Sequence, residues 1–95
     1  MSGASDTPER VFEDILRLDD RLLLRTLPKI DSCLLALALK TATPELKEKL
    51  FRNMSRRSAG VIGEEMEYIG PVRLSEVERA QRAVCAILFP HAPRE

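Results

Sequence analysis

The sequence predicts an all-α fold, a compact bundle or superhelical array of about six short helices. Apolar residues recur at helical spacing along most of the chain, and no segment shows the alternation typical of a strand. Hydrophobic residues make up 44% of the sequence, while aromatic residues make up only 4% and Trp is absent. A leucine-rich, aromatic-poor composition of this kind favours helix over strand.

The 95 residues suit one domain. We expect a flexible lead at residues 1–6, a single helical domain over 7–90 and a short tail over 91–95. The start of the chain is polar and lacks the apolar region of a signal peptide. No apolar run reaches the roughly 18 residues of a membrane span, so we expect no direct membrane insertion.

The first two helices are predicted from a proline and a capping residue. Thr7-Pro8 begins the first, because proline is tolerated in a first helical turn. Asp19 is expected to cap the second. Pro28 should end that helix, since the residue before a proline avoids the helical conformation.

The third helix is expected to lie at the centre of the core. Asp31 is its predicted N-cap. The following segment, Leu34–Leu39, is apolar on nearly every side, which is typical of a buried helix. Thr43-Pro44-Glu45 then begins the fourth helix with a cap, a first-turn proline and an acid near the positive helix end.

The fifth helix is predicted to begin after Ser55 and to continue to about Ile69. Gly70-Pro71 ends it, with the glycine in a left-handed conformation before a helix breaker. Gly60 and Gly63 lie inside the helix, where each costs up to about 1 kcal/mol relative to alanine. We expect this pair to permit close packing against a neighbouring helix.

The sixth helix has a capping-box signature, Ser-x-x-Glu, at Ser75 and Glu78. Ser75 is therefore the predicted N-cap. Pro90 is expected to end the helix.

The sequence offers no recognisable catalytic, cofactor or metal site. An enzyme needs a nucleophile with a base, paired acids in a pocket, or a metal centre. The one histidine, His91, lies in the tail, and neither a glycine-rich phosphate loop nor a zinc spacing is present. We therefore expect no enzyme, no cofactor and no metal. The formal net charge of zero also gives no basic field for nucleic acid.

Two cysteines, Cys33 and Cys85, lie within apolar helical patterns. We interpret both as reduced core thiols of a cytosolic protein. A buried disulfide between them is the alternative.

The fifth helix carries the most informative pattern. At about 100° per residue, Glu64 and Tyr68 each lie within roughly 20° of Arg57, and Glu65 lies about 80° away. The opposite side is apolar, with Ala59, Ile62, Met66 and Ile69. The helix should bury one face and expose another that carries both signs of charge. The pattern alone fits a solvated face or an interaction surface.

Several segments resemble the C-terminal, torque-transmitting domain of the flagellar motor switch protein FliG. The similarity extends from about Phe12 to about Leu88. The most specific part is Arg52-Asn53-Met54-Ser55 followed by Gly70-Pro71-Val72-Arg73-Leu74-Ser75 at this separation. Further matches are Phe12-Glu13-Asp14, Leu18-Asp19-Asp20-Arg21, Ala38-Leu39-Lys40, Leu46-Lys47-Glu48-Lys49, Val77-Glu78 and Ala80-Gln81.

The resemblance implies an armadillo-related helical fold and a non-catalytic role in motility and chemotaxis. In that family, charged residues on and beside the fifth helix face the stator protein MotA. Those roles fall here on Lys40, Arg57, Glu64, Glu65 and Arg73. The partners implied are a MotA-like stator cytoplasmic region or other rotor and switch proteins, with self-association a further expectation. The implied location is the cytoplasm, at the cytoplasmic face of the flagellar basal body.

The chain also departs from the family pattern. The hinge motif Met-Phe-x-Phe aligns with Glu9-Arg10-Val11-Phe12, which keeps only the final Phe. The family's amino-terminal and middle domains, which dock to FliF and FliM, have no counterpart in these 95 residues. The alternative is therefore a standalone paralogue that serves as an adaptor in a non-flagellar assembly.

Overall fold

The computed structural model describes residues 8–89, with side chains from Val11 onward. It contains six α-helices: α1 Pro8–Glu13, α2 Asp20–Thr26, α3 Ser32–Ala38, α4 Pro44–Arg52, α5 Arg56–Ile69 and α6 Leu74–Leu88. Residues 8–89 contain no strand, so the predicted all-α class is confirmed. The expected lead at 1–6, the tail at 91–95, and the predictions on Thr7, Pro90 and His91 lie outside the described residues.

Each of the first three α-helices continues into a short 3₁₀ helix, at Asp14–Arg17, Leu27–Lys29 and Leu39–Thr41. α2 ends at Thr26, ahead of Pro28 as predicted. The chain nevertheless stays helical, because Pro28 occupies an early position of the second 3₁₀ helix, where its missing N–H is not needed. These tight turns shorten the α-helices and bring successive elements close together.

The core is built around α3 and α6. α6 packs against both α1 and α3, and α3 packs on its other side against α5. Leu35, Ala36 and Ala38 of α3 are buried, and Leu34 and Leu37 pack against the core. The central position predicted for this helix is therefore confirmed.

Three predicted N-caps are confirmed. In each, a side-chain oxygen accepts a backbone N–H of the first turn: Asp31 from Leu34 at 3.1 Å, Thr43 from Leu46 at 3.3 Å and Ser55 from Ser58 at 3.0 Å. Asp19 occupies the N-cap position of α2, but its side chain makes no capping hydrogen bond. A side-chain cap contributes roughly 0.5–2 kcal/mol, so α2 lacks a stabilisation that α3, α4 and α5 have.

The capping box predicted at Ser75 is wrong. α6 begins at Leu74, and Arg73 is its N-cap, with an extended backbone and no side-chain cap. The Arg73 carbonyl accepts the backbone N–H groups of Glu76 and Val77, which starts the helix before Ser75 can cap it. α5 ends before Gly70 as predicted, and Gly70 has a φ of 67°, which L side chains rarely adopt. Its ψ of −154° differs from the predicted left-handed helical conformation, because the backbone leaves the helix in an extended direction.

Two predictions about small residues also need correction. A Cβ added at Gly60 or Gly63 would meet nothing within 4 Å, so close packing does not require these glycines. Cys85 is buried, as expected, but Cys33 is exposed and is not a core thiol. Both thiols are free, and the alternative of a disulfide between them is wrong.

A buried amide joins α6 to the end of α3. Gln81 is 1% exposed, and its Nε2 donates to the Ala38 carbonyl at 3.0 Å and to Thr41 Oγ1 at 2.9 Å. Ala38 is the last residue of α3, where carbonyls lack a partner within the helix. Gln81 therefore fixes the 3₁₀ helix that carries Lys40, although its own Oε1 has no hydrogen-bond partner within the described residues.

Candidate functional site

α5 is attached to the molecule along a narrow face. Of its 14 residues, only Ile62 is fully buried, and Ala59, Met66 and Ile69 are half-buried beside it. The exposed side carries a row of residues at positions i, i+4, i+7 and i+11, which share one helix face: Arg57, Val61, Glu64 and Tyr68. Tyr68 is 89% exposed.

The five residues predicted to contact a partner lie at different depths. Arg57 and Glu64 are exposed on the outer face of α5, and Glu65 is half-buried on its flank. Lys40 is half-buried in the 3₁₀ helix that follows α3, and Arg73 is exposed at the start of α6.

Lys40 is tied to the C-terminal end of α5. Its Nζ donates to the Met66 carbonyl at 3.3 Å. Met66 lies in the last turn of α5, where carbonyls lack partners within the helix and carry partial negative charge. The ammonium group thus satisfies a helix end and remains only partly buried beside the exposed face.

Glu65 lies at the contact between α5 and α3. Its Oε1 accepts a hydrogen bond from Cys33 Sγ at 3.5 Å. This hydrogen bond, together with the repulsion between the carboxylate and a thiolate, raises the pKa of Cys33 above its usual value. Glu65 therefore has a local partner, whereas Glu64, one residue earlier, points outward.

Lys40 and Glu65 both lie at the C-terminal half of α5, since Lys40 donates to the carbonyl of the residue that follows Glu65. Arg57 lies seven residues before Glu64, which is about 10 Å along the axis at 1.5 Å per residue. Within residues 11–89, no hydrogen bond or ion pair joins any two of the five residues, and Arg73 makes no side-chain hydrogen bond or ion pair. Arg57, Glu64 and Arg73 therefore keep their charges available to a partner, whereas Lys40 and Glu65 also make local hydrogen bonds.

The charges of α5 run against its helix dipole. Its first turn carries Arg56 and Arg57 and no acid, and its last turn carries Glu67 and no base. α4 shows the favourable order, with Glu45 in its first turn and Lys49 and Arg52 in its last. Each unfavourable charge at a helix end costs about 0.3–1 kcal/mol at low ionic strength. The α5 charges therefore do not serve the stability of their own helix.

The sequence reasoning left two exposed α5 residues out of the candidate site. Val61 is 41% exposed, and Tyr68 lies further along the same row. The signal for Val61 was available, because an apolar residue one turn after Arg57 interrupts an otherwise polar face. Val61 and Tyr68 therefore place apolar surface beside the charged residues of α5.

The structure supplies no donor set for a metal within the described part of the chain, where no group of three or more His, Cys, Asp or Glu side chains is close enough to hold an ion. In the same part, no helix is both long and apolar enough to span a membrane.

Comparison with known proteins gives a consistent result. The family model described as FliG C-terminal domain matches residues 10–90. The flagellar motor switch protein FliG of Thermotoga maritima is 55% identical over 78 residues, which are 82% of this chain and 23% of that protein. The corresponding Bacillus subtilis protein is 46% identical over 78 residues, with the same two shares.

Solved structures agree with the sequence matches. A crystal structure of FliG residues 116–343 from Helicobacter pylori superposes with a TM-score of 0.78 at 42% identity, over 83% of this chain and 35% of that one. The structure of full-length FliG from Aquifex aeolicus gives a TM-score of 0.77 at 40% identity, over 88% of this chain and 27% of that one.

The fold and the exposed α5 face define a small all-helical domain of the kind found in motor switch proteins, which are not an enzyme family. The chain belongs to the FliG C-terminal domain family, and the resemblance noted in the sequence is confirmed. It spans less than a quarter of the length of the curated relatives compared above.

Proposed function

We propose that this domain works in the rotor of a flagellar motor, where α5 carries a charged surface that docks against the cytoplasmic region of a MotA-like stator protein. The surface consists of Lys40, Arg57, Glu64, Glu65 and Arg73. Its role is motility and, through the direction of rotation, chemotaxis. The corresponding location is the cytoplasmic face of the basal body.

The orientation of the α5 charges is the main support for this proposal. Arg57 at the positive helix end and Glu67 near the negative end oppose the dipole, and within the described residues neither has an ion-pair partner. Charges that cost stability and lack local partners are suited to recognition of another molecule. Membership of the motor switch family supports another motor protein as that molecule.

Electrostatic contact suits the task of a rotor, which must engage a stator briefly and release it. Exposed complementary charges accelerate and steer encounters while adding little to residence time. Their range is about 8 Å at physiological salt. A ring of such domains would present the same charges repeatedly to each stator, without one domain holding it for long.

Charge reversal on α5 tests the proposal. We expect Arg57→Glu and Glu64→Lys each to weaken binding of the stator cytoplasmic fragment about tenfold, which corresponds to about 1.4 kcal/mol. Because both side chains are exposed, neither variant should unfold the domain. Glu64→Lys should change the free energy of unfolding by no more than about 0.5 kcal/mol, whereas Arg57→Glu places an acid at the positive end of α5 and should raise it by about 0.3–1 kcal/mol. Binding is measured by fluorescence anisotropy at two salt concentrations, and stability by urea denaturation.

The matched controls are Arg79→Glu on α6 and Glu48→Lys on α4, which reverse exposed charges and alter the protein's net charge by the same amounts. They should bind like wild type. Equal losses in the α5 variants and in these controls would show that only net charge matters. Normal motility of cells that lack the protein would instead favour the adaptor alternative.

A further inference from the structure

A groove of about 460 Å³ runs along the N-terminal half of α5. This volume falls in the range of roughly 300–1,000 Å³ that ligand pockets occupy. The groove is lined by Leu27, Pro28, Ile30, Ser32, Met54, Ser55, Arg57, Ser58, Val61 and Ile62. Six of these ten residues are apolar.

The apolar part of the groove is well supported. Leu27, Ile30 and Ile62 are buried and belong to the core, so their side chains are fixed by packing from below. Val61 stands at the edge and remains 41% exposed. An apolar side chain that entered would meet a preformed surface and would cover Val61.

The polar part of the groove has one charge. Ser55 and Ser58 bond to each other at 3.1 Å, and Ser55 also caps α5, so these hydroxyls are already engaged. Arg57 is exposed and forms no ion pair within the described residues. No carboxylate lines the groove. The complement of this surface is therefore apolar with a negative charge at one side.

We propose that the groove binds a short amphipathic helix of the stator-side partner, with an aliphatic side chain above Ile62 and a carboxylate about one turn away on Arg57. The partner's identity rests on the proposed function, whereas the chemistry of the bound segment rests on the groove. A helix is the fitting form, because residues 8–89 offer no strand edge to which an extended peptide could add.

The groove is continuous with the charged surface, since Arg57 and Val61 belong to the same exposed row as Glu64. A helix in the groove would lie at one end of that row. The bound helix would add an apolar contact, which salt does not screen, to the charged contacts of the surface, which salt does screen. Binding should therefore keep a residual component at high salt, and that component should depend on Val61.

The test is an NMR titration of the ¹⁵N-labelled full chain with an alanine-rich helical peptide of about 15 residues. The peptide carries two leucines one turn apart with a glutamate beside them, and its counterpart carries lysine in place of glutamate. We expect the acidic peptide to shift the amide signals of Ser58, Val61 and Ile62. The lysine peptide should bind at least about tenfold more weakly, which reports the contact with Arg57.

Val61→Asp is expected to abolish the response. Ile87→Asp is the matched control, because Ile87 is also 41% exposed but lies on α6, and it should respond like wild type. Equal binding of both peptides, shifts elsewhere, or no binding of the acidic peptide would overturn the proposal. So would concentration-dependent shifts at Val61 without peptide, since they would indicate a second copy of the chain as the occupant.

A stator fragment added to the same labelled protein separates the two proposals. If the acidic peptide binds the groove but the stator fragment does not bind at all, the proposed function fails and the groove remains. If the fragment binds through the α5 charges but Val61→Asp leaves its affinity unchanged, the groove has no part in the contact and this inference fails.

Discussion

The two longest helices of the domain differ sharply in how they are held. α6 buries six of its 15 residues, while α5 buries one of 14. α6 lies between α1 and α3 and contributes the amide of Gln81, whereas α5 touches the core along one edge. Burial on both sides leaves α6 little freedom to vary. The exposed faces of α5 are free to carry charges that recognition needs and folding does not.

Truncation of a core side chain on α3 and of an α5 side chain packed against the core is the strongest test of how loosely α5 is held. Leu35 is 1% exposed, and Leu35→Ala should lower the free energy of unfolding by about 2–5 kcal/mol through lost burial and a new cavity. Met66 of α5 is only half-buried, so Met66→Ala should cost about 1 kcal/mol. Urea denaturation followed by circular dichroism measures both. Equal costs would mean that α5 is as firmly embedded as the core.

The contact between Gln81 and the end of α3 is the next test. Gln81→Met keeps the side-chain volume but leaves the Ala38 carbonyl and the Thr41 hydroxyl without their donor, which should cost about 1–3 kcal/mol. Thr41→Val removes one of the two acceptors. A double-mutant cycle should show that the two changes are coupled, since they share one hydrogen bond. Strict additivity would show that this contact does not hold the turn.

The sequence was sufficient to predict the features that depend on residues close together in the chain. The helix number, the caps at Asp31, Thr43 and Ser55, and the apolar side of α5 all follow from spacings within one or two turns. The start of α6 did not follow, because a capping-box pattern at Ser75 coincided with an extended Arg73 that begins the helix earlier. A local pattern cannot decide between two candidate N-caps two residues apart when the preceding loop sets the backbone.

The contacts that shape the candidate site join distant parts of the chain. Gln81 and Thr41 are 40 residues apart, and Cys33 and Glu65 are 32 apart. Sequence periodicity places Gln81 on the buried face of its helix but does not show what it meets. Periodicity also gives the wrong burial for Cys33, because α3 is apolar on nearly every side and no polar side marks which residues face outward. Such pairs require the packing of the helices to be known.

The two thiols provide the mildest test, because Cys85 lies on α6 and Cys33 lies on α3, where it contacts Glu65 of α5. Iodoacetamide at about pH 8, below the ordinary thiol pKa, should modify exposed Cys33 well before Cys85. Burial raises the pKa of Cys85 to about 11, which keeps it protonated as well as covered. Peptide mass spectrometry over time gives the two rates. Faster modification of Cys85 would mean that α6 opens readily enough to expose its thiol, the reverse of what burial predicts.

The alkylation rate of Cys33 also reports the position of the Glu65 carboxylate. Glu65→Gln removes the carboxylate that raises the pKa of Cys33, so a larger fraction is thiolate and alkylation should be faster. Glu64→Gln is the matched control, because Glu64 is exposed and is not among the groups that shift that pKa. It should leave the rate unchanged. Two outcomes would contradict this contact: neither variant changes the rate, or both change it equally. In either case the Glu65 carboxylate does not contact Cys33 of α3 and belongs instead to the exposed face beside Glu64.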